Sequence, residues 1–225
     1  MKIAVTKLEE KSEGINELFR RYGHEAVIVS TMRAAPPADP APLSRLAEMI
    51  SKNKIDILIF TSALGVEKLF NIVKPRKNVR IVSVGPKTAK KVEEYGIRSE
   101  VIGNFSSDHF AEYLGDISGK TIGIARVEVP NPELVSSLTS GGATVIEAPA
   151  YRLVTGDSIV EILDDIDAVI FTSAKSFELS GFAPEYAKKI KVVAIGQKTA
   201  EAMRKHGTNP EIVGNGTLED CLSQL

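Results

Sequence analysis

A single cysteine, Cys221, in 225 residues excludes an intrachain disulfide and fits a reducing compartment. No apolar run approaches the length that spans a bilayer, so a membrane partner is not expected. The chain opens Met1-Lys2-Ile3-Ala4-Val5-Thr6, which reads as a strand rather than a signal peptide, and the expected location is cytoplasmic. The net charge of −1 supplies no global attraction for nucleic acid, so any anion must be held by local backbone and side-chain arrangement. His24, His109 and His206 lie far apart, at helix ends or in loops, and form no ligand spacing, which predicts no metal. The five-residue lead of a Walker loop is missing, as are a Gly-x-Ser-x-Gly elbow and a Cys-His pairing. Nucleoside triphosphate hydrolysis and covalent catalysis are therefore discounted.

What the chain does contain is itself, twice. Ile55-Asp56-Ile57-Leu58-Ile59-Phe60-Thr61-Ser62-Ala63 returns as Ile166-Asp167-Ala168-Val169-Ile170-Phe171-Thr172-Ser173-Ala174. Likewise Val84-Gly85-Pro86-Lys87-Thr88-Ala89 returns as Ile195-Gly196-Gln197-Lys198-Thr199-Ala200. Ser62 to Ser173, Gly85 to Gly196, Gly96 to Gly207 and Asn104 to Asn215 are all separated by 111 positions, so the register never slips. A period that long means a duplicated half rather than a solenoid.

Short β-branched runs alternate with helical spacing in both halves. Strands are expected near Lys2 to Thr6, Glu25 to Val29, Ile55 to Phe60, Val79 to Ser83 and Glu100 to Ile102. They recur near Thr121 to Ala125, Ala143 to Pro149, Ala168 to Phe171, Lys191 to Ala194 and Glu211 to Val213. Helices are expected over stretches such as Glu13 to Tyr22 and Thr88 to Tyr95, with Gly96 and Gly207 as left-handed C-caps. This is the pattern of parallel sheets with helical crossovers, an α/β class.

The proline-dense stretch at 34 to 42 should be extended and semi-rigid, yet it follows only two strands, whereas the copies meet near Asp116-Ile117-Ser118-Gly119. Both observations fit two parallel-sheet domains of similar topology, the first discontinuous. The expected division is 1–33 plus 153–225 for domain 1 and 36–149 for domain 2, with a two-strand linker near 34–35 and 150–152. A plain tandem split near 118 is the alternative.

The best-matched positions are short polar loops at the ends of apolar runs, where an open α/β sheet places its ligand. Thr61, Ser62 and Ala63, with Thr172, Ser173 and Ala174, follow buried strands. Their hydroxyls suit helix caps, and the same helix starts offer N–H groups to a carboxylate. Gly85, Pro86, Lys87 and Thr88, with Gly196, Gln197, Lys198 and Thr199, form the second pair of turns. There glycine permits close backbone approach and threonine offers a hydroxyl and an N–H, while the lysines also suit plain surface positions. Tyr151 sits in the expected recrossing linker, either as an apolar anchor or as a neutral phenol able to protonate a leaving group.

With these turns and the Ala150-Tyr151-Arg152 segment in place, the chain resembles the uroporphyrinogen-III synthase family over essentially its whole length. The resemblance implies two α/β domains joined by a two-strand linker, the first built from both chain ends, with a linear tetrapyrrole bound in the cleft. It implies a cyclising lyase of tetrapyrrole and heme biosynthesis that converts hydroxymethylbilane, with its eight carboxylates, to uroporphyrinogen III. Water is lost, the last pyrrole ring is inverted, no cofactor is needed and the enzyme acts as a monomer. Tyr151 would assist departure of the hydroxyl, and the helix starts would hold the acetate and propionate arms. Where the family often has Thr-Arg, this chain has Thr6-Lys7, with Arg126 after the equivalent strand of the second copy. Gln197 stands where proline is usual. A non-catalytic two-lobed receptor for a small anion, or an α/β enzyme of phosphate-bearing substrates, would share these features.

Overall fold

In the computed structural model, residues 1–8, 14–75, 78–102 and 110–225 are described. Glu13, Asn104 and His109 lie outside them. The chain divides into two compact units, Met1–Ala34 with Leu153–Leu225, and Ala35–Arg152.

The first unit holds strands β1 (Lys2–Leu8), β2 (Glu25–Ala35, to residue 34), β8 (Ala168–Phe171), β9 (Lys191–Ala194) and β10 (Ile212–Val213). They are all parallel, in the order β10-β9-β8-β1-β2. The second unit holds β3 (Ile57–Phe60), β4 (Arg80–Val84), β5 (Glu100–Ile102), β6 (Thr121–Val127) and most of β7 (Thr144–Thr155). Their order is β5-β4-β3-β6-β7, again all parallel. The topology is therefore repeated with copies exchanged: β3 of the first copy sits beside β6 of the second, and β8 of the second beside β1 of the first.

The central strands β3 and β8 are buried at every position, which is why they read as continuous apolar runs rather than alternating ones. Helices cover the sheet faces with residues at helical spacing. In α2 (Ala41–Ser51), Leu43, Leu46, Ala47 and Ile50 are buried. In α4 (Pro86–Glu94) they are Thr88, Ala89 and Val92, and in α8 (Gln197–Lys205) Thr199, Ala200 and Met203. The same spacing 111 residues apart makes the duplication structural. Both helices end on a left-handed glycine, Gly96 at φ 75° and Gly207 at φ 78°, as the sequence predicts.

The segments expected as a two-strand linker lie in strands. Residues 34–35 close β2, and 150–152 lie inside β7, so the chain passes from one unit to the other within strands. The proline-rich stretch is not extended throughout: Pro40 caps α2 and Pro42 lies in its first turn, where a missing N–H costs nothing.

Candidate functional site

Within each unit the strand order reverses once, between β3 and β6 and between β8 and β1. Open α/β sheets bind ligands outside the carboxyl ends of strands at such a reversal. Those ends carry Thr61-Ser62 and Arg126 in the second unit, Thr172-Ser173 and Lys7 in the first. The two Thr-Ser turns, Lys7 and Arg126 therefore lie at the two reversals. The Gly85 and Gly196 turns sit one strand further out, after β4 and β9.

The two reversals are built differently. In the second unit Ser62 caps α3 (Ala63–Phe70), its Oγ accepting from the Gly65 N–H at 3.1 Å. A cap of this kind contributes about 1 kcal/mol. The Tyr151 hydroxyl donates to the same Ser62 oxygen at 3.1 Å. Tyr151 is 6% exposed and Ser62 is half-buried. The backbone leaves no alternative to glycine at 65: a Cβ there would lie 2.6 Å from the Ala125 carbonyl oxygen on β6.

In the first unit Ser173 caps α7 (Ala174–Glu178), and Ser176 stands where the duplication places Gly65. The Ser176 hydroxyl accepts from the Ser173 N–H at 3.0 Å and donates to the Ser173 carbonyl at 2.8 Å, while Ser173 Oγ accepts from the Ser176 N–H at 3.0 Å. The Thr6 hydroxyl donates to Ser176 Oγ at 2.9 Å and accepts from the Thr172 N–H at 3.2 Å, and the Thr172 hydroxyl donates to the Thr6 carbonyl. Thr31 donates to the Ser176 carbonyl at 3.1 Å. Thr6, Thr31 and Ser176 are fully buried. The N–H of Ser173, expected from sequence to hold a carboxylate, is thus already engaged within its own turn.

Arg126 is 8% exposed, its guanidinium pairing with Glu147 at 2.9 Å and donating to the Val129 carbonyl. It lines a cavity of about 150 Å³ with Glu128, Glu147 and Pro149, and its Nε is buried without a partner among the described residues. Lys7 is half-buried at the end of β1. Gly85 adopts φ 78°, in the left-handed region that favours glycine, whereas Gly196 is extended. Pro86, Lys87, Gln197 and Lys198 are exposed, but Thr88 and Thr199 are each 4% exposed and turn their side chains inward. Gln197 donates to Glu201 at 3.3 Å, an exposed contact one turn along α8. Ala63 and Ala174 are half-buried first residues of their helices. Among the described residues no group of three or more His, Cys, Asp and Glu side chains is arranged to hold a metal ion. No helix among them is long and apolar enough to cross a membrane.

Sequence reasoning missed Thr6, Thr31, Gly65 and Ser176. A signal was present for the last two, since residues 65 and 176 fall two positions past the identical Phe-Thr-Ser-Ala turns and differ between the copies.

The family model described as uroporphyrinogen-III synthase HemD matches residues 13–222. A protein of Methanothermobacter thermautotrophicus that carries the provisional name of uroporphyrinogen-III synthase is 30% identical, over 99% of this chain and 96% of its own length. The porphyrin biosynthesis protein HemD of Ruminiclostridium josui is 24% identical over the whole of this chain, which spans 48% of that relative. Among solved structures, a mutant uroporphyrinogen III synthase of the extremely thermophilic bacterium Thermus thermophilus shares the fold at a TM-score of 0.63 and 20% identity, covering 100% of this chain and 96% of that one. The uroporphyrinogen-III synthetase of Helicobacter pylori does so at 0.63 and 17%, covering 100% and 98%.

Proposed function

Since the chain belongs to the uroporphyrinogen-III synthase family, we propose that it cyclises hydroxymethylbilane to uroporphyrinogen III with loss of water and inversion of the last pyrrole ring. The observation that carries the reading is the family match across residues 13–222, both copies of the duplication included. Tyr151, hydrogen-bonded to Ser62 at the end of β3, supports it as the source of an acidic proton.

The chemistry is redox-neutral and needs no cofactor. The hydroxyl of the first ring leaves as water while that ring's nitrogen lone pair meets the electron demand. The last ring bonds to the freed carbon through its already substituted α-carbon, and the bridge carbon then moves from that α-carbon to the free one, closing the macrocycle with the ring inverted and a proton lost. The substrate is reactive enough to close without help, so the protein's task is to present the substituted α-carbon of the last ring, rather than its free one, to the carbon that the leaving group vacates. A tetrapyrrole with eight carboxylate arms suits a surface of helix starts, where backbone N–H groups and the helix dipole favour anions. The starts of α3, α4 and α8 fit that role, with Gly85 allowing close approach and the exposed Lys87 and Lys198 adding charge. Lys7 and Arg126 complete the proposed set of carboxylate partners, with Arg126 exchanging Glu147 for a substrate arm.

The test is incubation with freshly made hydroxymethylbilane, oxidation, and separation of the porphyrin isomers. A dominant type III isomer supports the reading. Type I alone at the uncatalysed rate overturns it and favours a receptor that releases its ligand unchanged.

A further inference from the structure

We infer that Ser62, with Tyr151 behind it, is the group that hands the proton to the departing hydroxyl. This deepens the synthase reading and rests on it. Three observations carry the inference. First, the Ser62 oxygen accepts twice, from the Gly65 N–H at 3.1 Å and from the Tyr151 hydroxyl at 3.1 Å. A serine hydroxyl has two acceptor lone pairs and one proton. Its acceptor capacity is spent, and its own proton has no acceptor among the described residues, so Ser62 is set as an outward donor.

Second, exposure ranks the two groups: Ser62 is half-buried and Tyr151 is 6% exposed. The serine hydroxyl is the nearer to an incoming ligand, and the phenol stands behind it as the proton reservoir. Third, the other copy cannot do this. The Ser176 hydroxyl closes the Ser173 turn, accepting from the Ser173 N–H at 3.0 Å and from the Thr6 hydroxyl at 2.9 Å. The strand registers place Met32 where Tyr151 stands, because Leu8 pairs with Met32 as Val127 pairs with Tyr151. One duplicated turn has a phenol behind its serine, and the other has none.

The step balances without another reagent. The bond between the hydroxymethyl carbon and its oxygen breaks, the electron pair leaving with oxygen, which takes the Ser62 proton and departs as water. The Tyr151 proton moves to Ser62 Oγ, leaving a phenolate. The already substituted α-carbon of the last ring bonds to the freed carbon, and its older bond to the bridge carbon breaks. The bridge carbon bonds instead to that ring's free α-carbon, and this carbon loses its hydrogen as a proton, which the phenolate recovers. The start of α3, an eight-residue helix capped by Ser62 itself, favours negative charge on the pair in between.

Turnover and KM for type III formation are measured for wild type, Ser62→Ala, Ser62→Asn, Ser62→Thr, Tyr151→Phe and the Ser62→Ala/Tyr151→Phe double variant, with the melting temperature of each. Asparagine retains an acceptor for the helix cap without a hydroxyl to pass on. The expected result is a tenfold or greater loss of kcat in Ser62→Ala and Ser62→Asn, at least equal to that in Tyr151→Phe, with KM changed less than threefold. The double variant falls no more than twofold below Ser62→Ala, and Ser62→Thr recovers at least half of the lost turnover. A Tyr151→Phe loss of tenfold with a Ser62→Asn loss under threefold overturns the inference and makes Tyr151 the direct donor. Losses that multiply in the double variant overturn it as well. Wild-type protein that yields type I alone removes the synthase reading itself, an outcome visible before any variant is made.

Discussion

Thr6 and Ser176 are bonded hydroxyl to hydroxyl at 2.9 Å in one unit, at the position where the other unit brings Gly65 against Ala125. The equivalence follows from strand register: Thr6 pairs with Phe171 as Ala125 pairs with Phe60. One unit fixes its first helical turn to the neighbouring strand with polar bonds, the other with bare backbone contact.

Thr6→Val keeps the shape and removes the hydroxyl that reaches Ser176 and accepts from the Thr172 N–H at 3.2 Å. The buried Ser176 hydroxyl loses a donor, and the Thr172 N–H loses its acceptor. Leaving buried polar groups unmatched costs about 1–3 kcal/mol. Urea denaturation should show a loss in that range with an unchanged m-value, and a loss below 0.5 kcal/mol, roughly the noise of a surface substitution, would mean water or relaxation supplies the missing partners.

Gly65→Ala sets two effects against each other. Alanine gains about 1 kcal/mol of helix propensity over glycine. Its Cβ would meet the Ala125 oxygen at 2.6 Å, and because that oxygen is backbone, β6 or α3 must shift. Overpacking of this kind costs about 1–3 kcal/mol or more, so the clash wins. The variant should be less stable than wild type and lose type III turnover, since the shift moves Ser62 relative to Tyr151. A more stable variant in thermal denaturation would show that α3 is free to slide.

These contrasts mark what the sequence reveals. The offset of 111 residues announced the duplication, the Thr-Ser turns announced the caps at Ser62 and Ser173, and both were found. The pairing of Ser62 with Tyr151, 89 residues apart, had no local signature, because nothing in either segment's propensity depends on the other. Arg126 was recognisable as a cation at a strand end, but its enclosure depends on Glu147 one strand away and on the Val129 carbonyl in the next turn. Local chemistry is legible in a chain; partners brought together by strand order are not. The residues 34–42 show the same limit, since proline stiffness is visible but the helix that Pro40 opens is set by Leu43, Leu46 and Ile50 finding a core.

Arg80 grips Glu100 with two bonds, at 2.7 Å and 2.8 Å, joining β4 to the edge strand β5. The hydrogen bond from Arg80 holds the Glu100 carboxyl below its ordinary value of 4.5. A carboxylate depressed in the folded state binds fewer protons there than when unfolded, so its stabilising contribution is present above pH 4.5 and is lost as pH falls below that value. Because both side chains are more than a third exposed or close to it, screening keeps the effect small. Glu100→Gln should flatten the decline of stability on acidification and weaken its salt dependence. An unchanged acid limb in pH-dependent denaturation would place the sensitivity in other carboxylates.

Arg126 and Glu147 are unequally buried, with side chains 9% and 36% exposed, and the inequality predicts an order. Glu147→Gln removes the charge facing a guanidinium that water barely reaches and whose Nε already lacks a partner among the described residues. Arg126→Met leaves a carboxylate that the solvent can hydrate and fills the vacated path with an apolar chain. A buried charge stripped of its partner costs more than a half-exposed one, so Glu147→Gln should destabilise by more than Arg126→Met, the former by about 3 kcal/mol. The proposed function adds a second consequence: bound uroporphyrin, offering carboxylates to the uncovered guanidinium, should raise the melting temperature of Glu147→Gln more than that of wild type, and Arg126→Met should show the smallest rise. Equal ligand shifts in all three proteins would mean that Arg126 braces the β6–β7 pair and takes no substrate arm.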